Sequence, residues 1–199
     1  MLYYIHGYQS TVDSKKGTLF HERLNAQSID YHQGKPEDLE IVACLRKIVE
    51  AIENDGDPVL IGSSLGGFLA AKVASEHSSV KSLILLNPLI IPPAADTRRL
   101  EGIPRRILSE LMNRQLLKVK IAADAAILIA TEDELIPRSW ILEFAMAQEA
   151  TVRFLHDDHS FTRNLTRLPG IIGEILRLRT ASDRTAQFRT GQTIGHGSG

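Results

Sequence analysis

The run Val59-Leu60-Ile61-Gly62-Ser63-Ser64-Leu65-Gly66-Gly67-Phe68 passes from an apolar strand through a Gly-x-Ser-x-Gly turn directly into a helix-forming segment. Few folds accommodate that order of events. A serine at the tip of such a turn, a nucleophile elbow, is held in a sparsely populated backbone conformation with its hydroxyl projecting beyond the sheet edge. The helix that follows must close against the strand it has just left, and only small residues leave room for so close an approach. Gly62 and Gly66 supply that room, with Gly67 as a further small residue. Ser64 is therefore the candidate nucleophile, and Ser63, one position earlier, is expected to face away from the pocket.

Around this element, short apolar runs alternate with longer helix-period segments, the pattern of a parallel sheet with crossover helices on both faces. Strands are expected at Leu2 to His6, Ser28 to His32, Val59 to Ser63, Ser82 to Asn87, Ala126 to Ala130 and Thr151 to His156, all parallel. Helices are expected at Thr18 to Ala26, Asp38 to Asn54, Leu65 to Glu76, Pro104 to Leu117, Arg138 to Gln148 and about Thr162 to Leu178. Ile41, Leu45, Ile48, Val49 and Ile52 recur at helical spacing and mark a face laid on the sheet. Pro104 to Leu117 is amphipathic through Ile107, Leu108, Leu111 and Met112, which suits sheet packing better than an acyl-pocket lid. From Thr180 onward only Phe188 and Ile194 are large and apolar, too few to offset the entropy of ordering the segment. One α/β domain over 1–179, followed by a flexible tail over 180–199, is the expected organisation.

A serine hydroxyl is a poor nucleophile near neutral pH unless a histidine takes its proton and an acid holds that histidine in the right tautomer. His159 follows the last expected strand, at the sheet edge that carries the elbow, and is the candidate base. Asp133 follows the neighbouring strand in Thr131-Glu132-Asp133-Glu134 and is the candidate acid, with Glu132 and Glu134 as rivals in the same loop. Asp57 and Asp124 precede their strands and fall at the opposite edge. The order Ser, Asp, His along the chain is that of α/β-hydrolases. An oxyanion needs backbone donors. The amide of Leu65, at the helix start, is one candidate, and that of Tyr8, after Gly7 turns the chain at the end of the first strand, is the other. Leu89, Ile90 and Ile91 are candidates for apolar pocket lining, and His6 supports the first loop.

Several pieces recur together: Tyr4-Ile5-His6-Gly7-Tyr8, the elbow, Asn87-Pro88 with Pro92, Asp133-Glu134, and Asp158-His159-Ser160-Phe161. In order and spacing they resemble the small α/β-hydrolase esterases of the YqiA type over roughly residues 1 to 165. The resemblance implies a minimal single-domain fold without a large cap, a Ser-Asp-His triad and hydrolysis of short acyl esters or thioesters. Carried over by position, Ser64, Asp133 and His159 form the triad, with Tyr8 and Leu65 as oxyanion donors. The chain departs from its relatives at Asp157-Asp158, where a carboxylate beside His159 is expected either to raise the pKa of that residue or to compete with Asp133 for it.

Bulk properties narrow the partners. A formal charge of -1 provides no field to gather nucleic acid or anionic lipid. The single Cys44 excludes an intrachain disulfide or a multi-thiolate metal site, and His21, His32 and His196 lack metal-ligand spacing. The elbow lacks the Lys-Ser/Thr ending of a phosphate-binding P-loop. No apolar leader or bilayer-length segment is visible, so a cytoplasmic location is expected. The expected function is a cofactor-free, metal-free serine esterase or thioesterase that takes small to medium acyl groups through an acyl-enzyme. The alternative is an inactive hydrolase-fold binding module. Oligomeric state is not legible.

Overall fold

Strands covered on both faces read as unbroken apolar runs, and Val59–Ser63 (β3), Ser82–Leu86 (β4) and Asp124–Ala130 (β5) do so in the middle of the sheet. Leu2–Ile5 (β1) pairs with β3 on one side and with the two-residue Gln27–Ser28 (β2) on the other, while Thr151–Leu155 (β6) forms the far edge against β5. The order is β2-β1-β3-β4-β5-β6, and every pairing is parallel. The computed structural model describes residues 1–112 and 114–191. Contacts divide the chain into two units, Met1–Leu165 and Thr166–Gly199.

Parallel neighbours need crossover connections, and these are right-handed in nearly all proteins. From β1 the chain passes through Lys15–Leu24 (α1) to β2, then reverses through Ile41–Ile52 (α2) to β3. It continues in one direction through Leu65–Glu76 (α3), Arg105–Leu111 (α4) and Arg138–Gln148 (α5). The handedness rule therefore sets α1 on one face and α2 to α5 on the other, and α2 packs against α3. The reversal makes the carboxyl ends of β1 and β3 a topological switch point, where open sheets of this kind hold their ligands.

The helix expected at Asp38 to Asn54 covers Ile41–Ile52 and several strands end one residue early, while two elements are cut back further. The strand expected at Ser28 to His32 pairs only through Gln27 and Ser28, because Tyr31 turns inward: its hydroxyl donates to the carbonyls of His6 and Gly7 and its ring stacks on His6. The helix expected at Pro104 to Leu117 ends at Leu111 and resumes as a 3-10 turn over Arg114–Leu117. Cys44 is buried in the core, as are Ile41, Ile48 and Ile52 on the same face of α2.

In the second unit, Leu168–Gly191 (α6) starts later than the expected Thr162 and runs past the expected end at Leu178. After Gly173 its sequence holds neither proline nor glycine until Gly191, so nothing local breaks the helix. The tail expected over 180–199 lies outside the described residues from 192 onward. Among the described residues, no helix is long and apolar enough to cross a membrane.

Candidate active site

Ser64 has φ 53° and ψ -119°, a backbone region that costs on the order of 1–3 kcal/mol for a residue with a side chain. Surrounding hydrogen bonds hold it there. Its amide donates to the Leu86 carbonyl at 3.0 Å, and its own carbonyl accepts from Gly67 and Leu89, each at 2.9 Å. The carbonyl of the strained residue thereby ties the start of α3 to the chain leaving β4.

The glycines are explained by contact. A Cβ on Gly66 would lie 2.1 Å from the Ile5 carbonyl oxygen, and one on Gly62 would lie 2.4 Å from the Gly66 carbonyl oxygen. At Gly7 a Cβ would come 3.3 Å from Cβ of Ser64 and 3.9 Å from its Oγ, so the turn after β1 passes directly beside the candidate nucleophile. Tyr8, next in that turn, lines the same cavity as Ser64. Leu65 is the first residue of α3, where an amide has no acceptor within its own helix.

The three acids of the β5 loop, equivalent in sequence, separate in space. Oδ2 of Asp133 accepts from Nδ1 of His159 at 2.8 Å, and its Oδ1 accepts from the amides of Leu135 and Ile136, each at 2.9 Å. With Nδ1 facing a carboxylate, the proton sits on that nitrogen and Nε2 is left as the basic position. Glu134 accepts from the backbone amide of His159 at 3.2 Å, which leaves the imidazole to Asp133. Glu132 instead pairs with Arg163 and His156, both exposed. His159 and Ser64 line a common cleft of about 600 Å³ and also a smaller cavity of about 170 Å³.

Asp157 and Asp158 compete for nothing at His159. The Asp157 carboxylate is fully buried and accepts from the amides of Asp158, Arg163 and Asn164 and from the Asn164 side chain. Asp158 accepts from the amide and hydroxyl of Thr162. Both carboxylates brace the loop that carries His159. Burial alone would raise the Asp157 pKa, but these hydrogen bonds outweigh it and hold the carboxyl below its ordinary value. A depressed carboxyl contributes stability that is present above the unfolded pKa, about 3.9, and is lost as pH falls through the folded value. Asp157→Asn is thus expected to lower the melting temperature at pH 7, with the gap from the wild type closing below about pH 4. A constant gap from pH 7 to pH 3 would contradict this.

Three expectations are corrected. Ser63 does not face away: it lines the large cleft together with Tyr4, because Tyr4 pairs with Ile61 and the alternation of the strand puts Ser63 on that same face. Of the expected apolar lining, Leu89 borders the small cavity. Ile90 and Ile91 are buried in the core as Leu89 is, but they border neither the large cleft nor the small cavity.

Two residues were given no role by the sequence. Asn87, fully buried at φ 42°, accepts from the Ala130 amide at 2.8 Å and donates to the His159 carbonyl at 3.1 Å. It braces the end of β5 against the base loop, and Asn-Pro after a strand is the only local signal of it. Lys16 lines the large cleft and donates to the Ser160 carbonyl at 2.8 Å. His6 is buried, stacked on Tyr31 with ring centroids 4.4 Å apart, and burial lowers its pKa, consistent with a supporting role. Among the described residues, no cluster of His, Cys, Asp or Glu could hold a metal ion.

Comparison with known proteins gives the fold a wider setting. The sequence model described as "Uncharacterised protein family (UPF0227)" matches residues 1–173. No curated protein matches the chain in sequence. Among solved structures, Est1E from Butyrivibrio proteoclasticus with ferulic acid bound superposes with a TM-score of 0.74 at 18% identity, over 90% of this chain and 89% of that one. Alpha/beta hydrolase domain-containing protein 10 from mouse gives 0.72 at 17% identity, covering 88% and 89%. The Pyrococcus furiosus esterase Pf2001 gives 0.67 at 14% identity, covering 88% and 81%. At such identities the likeness establishes the α/β-hydrolase fold.

Proposed function

Because the chain belongs to the uncharacterised family UPF0227 and has the α/β-hydrolase fold, we propose that it is a serine hydrolase acting on carboxylic esters or thioesters. The observation that carries this reading is the imidazole of His159, held by a buried carboxylate at 2.8 Å, on the wall of the cleft that Ser64 also lines from a strained elbow.

In this reading Nε2 of His159 removes the Ser64 proton as Oγ attacks the acyl carbonyl, and Asp133 stabilises the imidazolium. Negative charge on the carbonyl oxygen is met by the amides of Leu65 and Tyr8, donors fixed before the reaction begins. The leaving group departs with the proton from His159, and water activated by the same imidazole then releases the acid and restores Ser64. None of these steps calls on a cofactor. The titles of two of the three neighbours named above, a hydrolase-domain protein and an esterase, support the same class.

A fluorophosphonate probe tests the reading, since only an activated serine reacts with it. Stoichiometric labelling of the protein at Ser64, lost in His159→Ala, is the expected result. A folded protein that stays unlabelled would be a binding module on a hydrolase scaffold.

A further inference from the structure

The cleft at Ser64 and His159 has two lobes, both more apolar than polar, and only the larger one is bordered by lysines. Ser64, His159, Glu101, Ile103 and Leu135 border both, so the candidate reacting atoms sit at the junction. The small lobe, about 170 Å³ and open to solvent, is lined in addition by Leu89, Leu100 and Ile136. An apolar cavity of ~150 Å³ accommodates benzene, which sets the scale of what fits there. The large lobe, about 600 Å³, is walled by Gln9, Ser10, Ser14, Lys15, Lys16 and Thr162. That volume is in the range of pockets for drug-sized ligands.

Lys16 gives the large lobe its sign. It is half-buried, and one of its three N–H donors goes to the Ser160 carbonyl, one residue beyond the candidate base. Burial pulls its pKa below that of an ordinary lysine, against the opposing pull of Asp158 and Asp157, whose oxygens are already taken by the base loop. A half-buried ammonium at the edge of the large lobe, with Lys15 beside it, suits a negatively charged group more than an acyl chain.

We propose that the two lobes divide the substrate: the small lobe takes a short apolar acyl group, of about six carbons or fewer, and the large lobe takes a bulky anionic leaving group held by Lys16. This rests on the hydrolase reading above. On acyl transfer to Ser64 Oγ the bond from the carbonyl carbon to the leaving oxygen or sulfur breaks, and the leaving atom departs into the lysine lobe with the proton from His159. Water completes the cycle.

The test compares acyl thioesters of 2-mercaptoethanesulfonate, anionic, with those of N-acetylcysteamine, neutral, each with chains of four, six and twelve carbons. The expected result is a kcat/KM optimum at six carbons or fewer and a preference for the sulfonate. Lys16→Gln should lower the sulfonate-to-neutral ratio of kcat/KM about tenfold, chiefly through KM, and Lys16→Arg should retain it. Should Lys16→Gln fail to fold, the wild-type ratio should still fall as sodium chloride rises from about 50 to about 500 mM.

A Lys16→Gln variant that loses both substrates in proportion would mean that Lys16 only braces the base loop, and would overturn the proposal. So would a twelve-carbon optimum, or a sulfonate preference that ignores salt. Labelling of Ser64 by the fluorophosphonate with any of these outcomes removes the lobe assignment alone. Absence of both labelling and turnover removes the hydrolase reading with it.

Discussion

Replacing Ser64 with alanine is expected to lower kcat on an ester such as 4-nitrophenyl butyrate by about 10⁴-fold or more, with the melting temperature unchanged. The size of the loss follows from the division of labour in the site. The hydroxyl forms the covalent intermediate, and without it the imidazole has only water to activate from a position arranged for Oγ. What survives is binding and oxyanion stabilisation, which need no nucleophile. Ser63→Ala is the comparison. Ser63 lines the same cleft beside Tyr4 and has no part in the proton transfer, so its removal should cost less than about tenfold in kcat. Steady-state rates of the two variants decide the matter: equal activity in both would remove Ser64 from the mechanism.

Gly66→Ala should abolish folding or cost about 4 kcal/mol or more, beyond the usual range for one added methyl group. The new Cβ would lie 2.1 Å from the Ile5 carbonyl oxygen and 2.4 Å from that of His6. Both oxygens belong to backbone at the end of β1, which is paired on its two sides by β2 and β3 and cannot step aside like the tip of a flexible side chain. Relief would require α3 to lift from the sheet and carry Ser64 with it. Gly56→Ala supplies the control, since nothing lies within 4 Å of a Cβ there, and its effect should stay within about 0.5 kcal/mol. Urea unfolding of both variants gives the comparison. A Gly66→Ala protein with the wild-type midpoint would show that α3 and β1 are farther apart than described.

The parallel sheet was legible because its inner strands are covered on both faces, and that requirement is written into Leu83-Ile84-Leu85-Leu86 and Ala126-Ile127-Leu128-Ile129 as unbroken apolar runs. Bounds were less legible where a tertiary contact competes with pairing. Tyr31 has good strand propensity, yet its side chain is drawn under the His6 turn and β2 stops at Ser28. Lining residues failed for the same reason. Leu89, Ile90 and Ile91 are chemically alike, and only the direction of the chain after Asn87 separates a cavity wall from the core.

The elbow was determined by sequence alone, because a strand, a strained serine and a closing helix place their steric demands on residues adjacent in the chain, and only glycine meets them at positions 62 and 66. The choice among Glu132, Asp133 and Glu134, the bracing role of Asp157 and the two lobes of the cleft were decided by the tertiary structure. Each depends on where β5, β6 and their loops bring side chains distant in sequence, and neighbouring carboxylates with the same chemistry differ only in the direction they face.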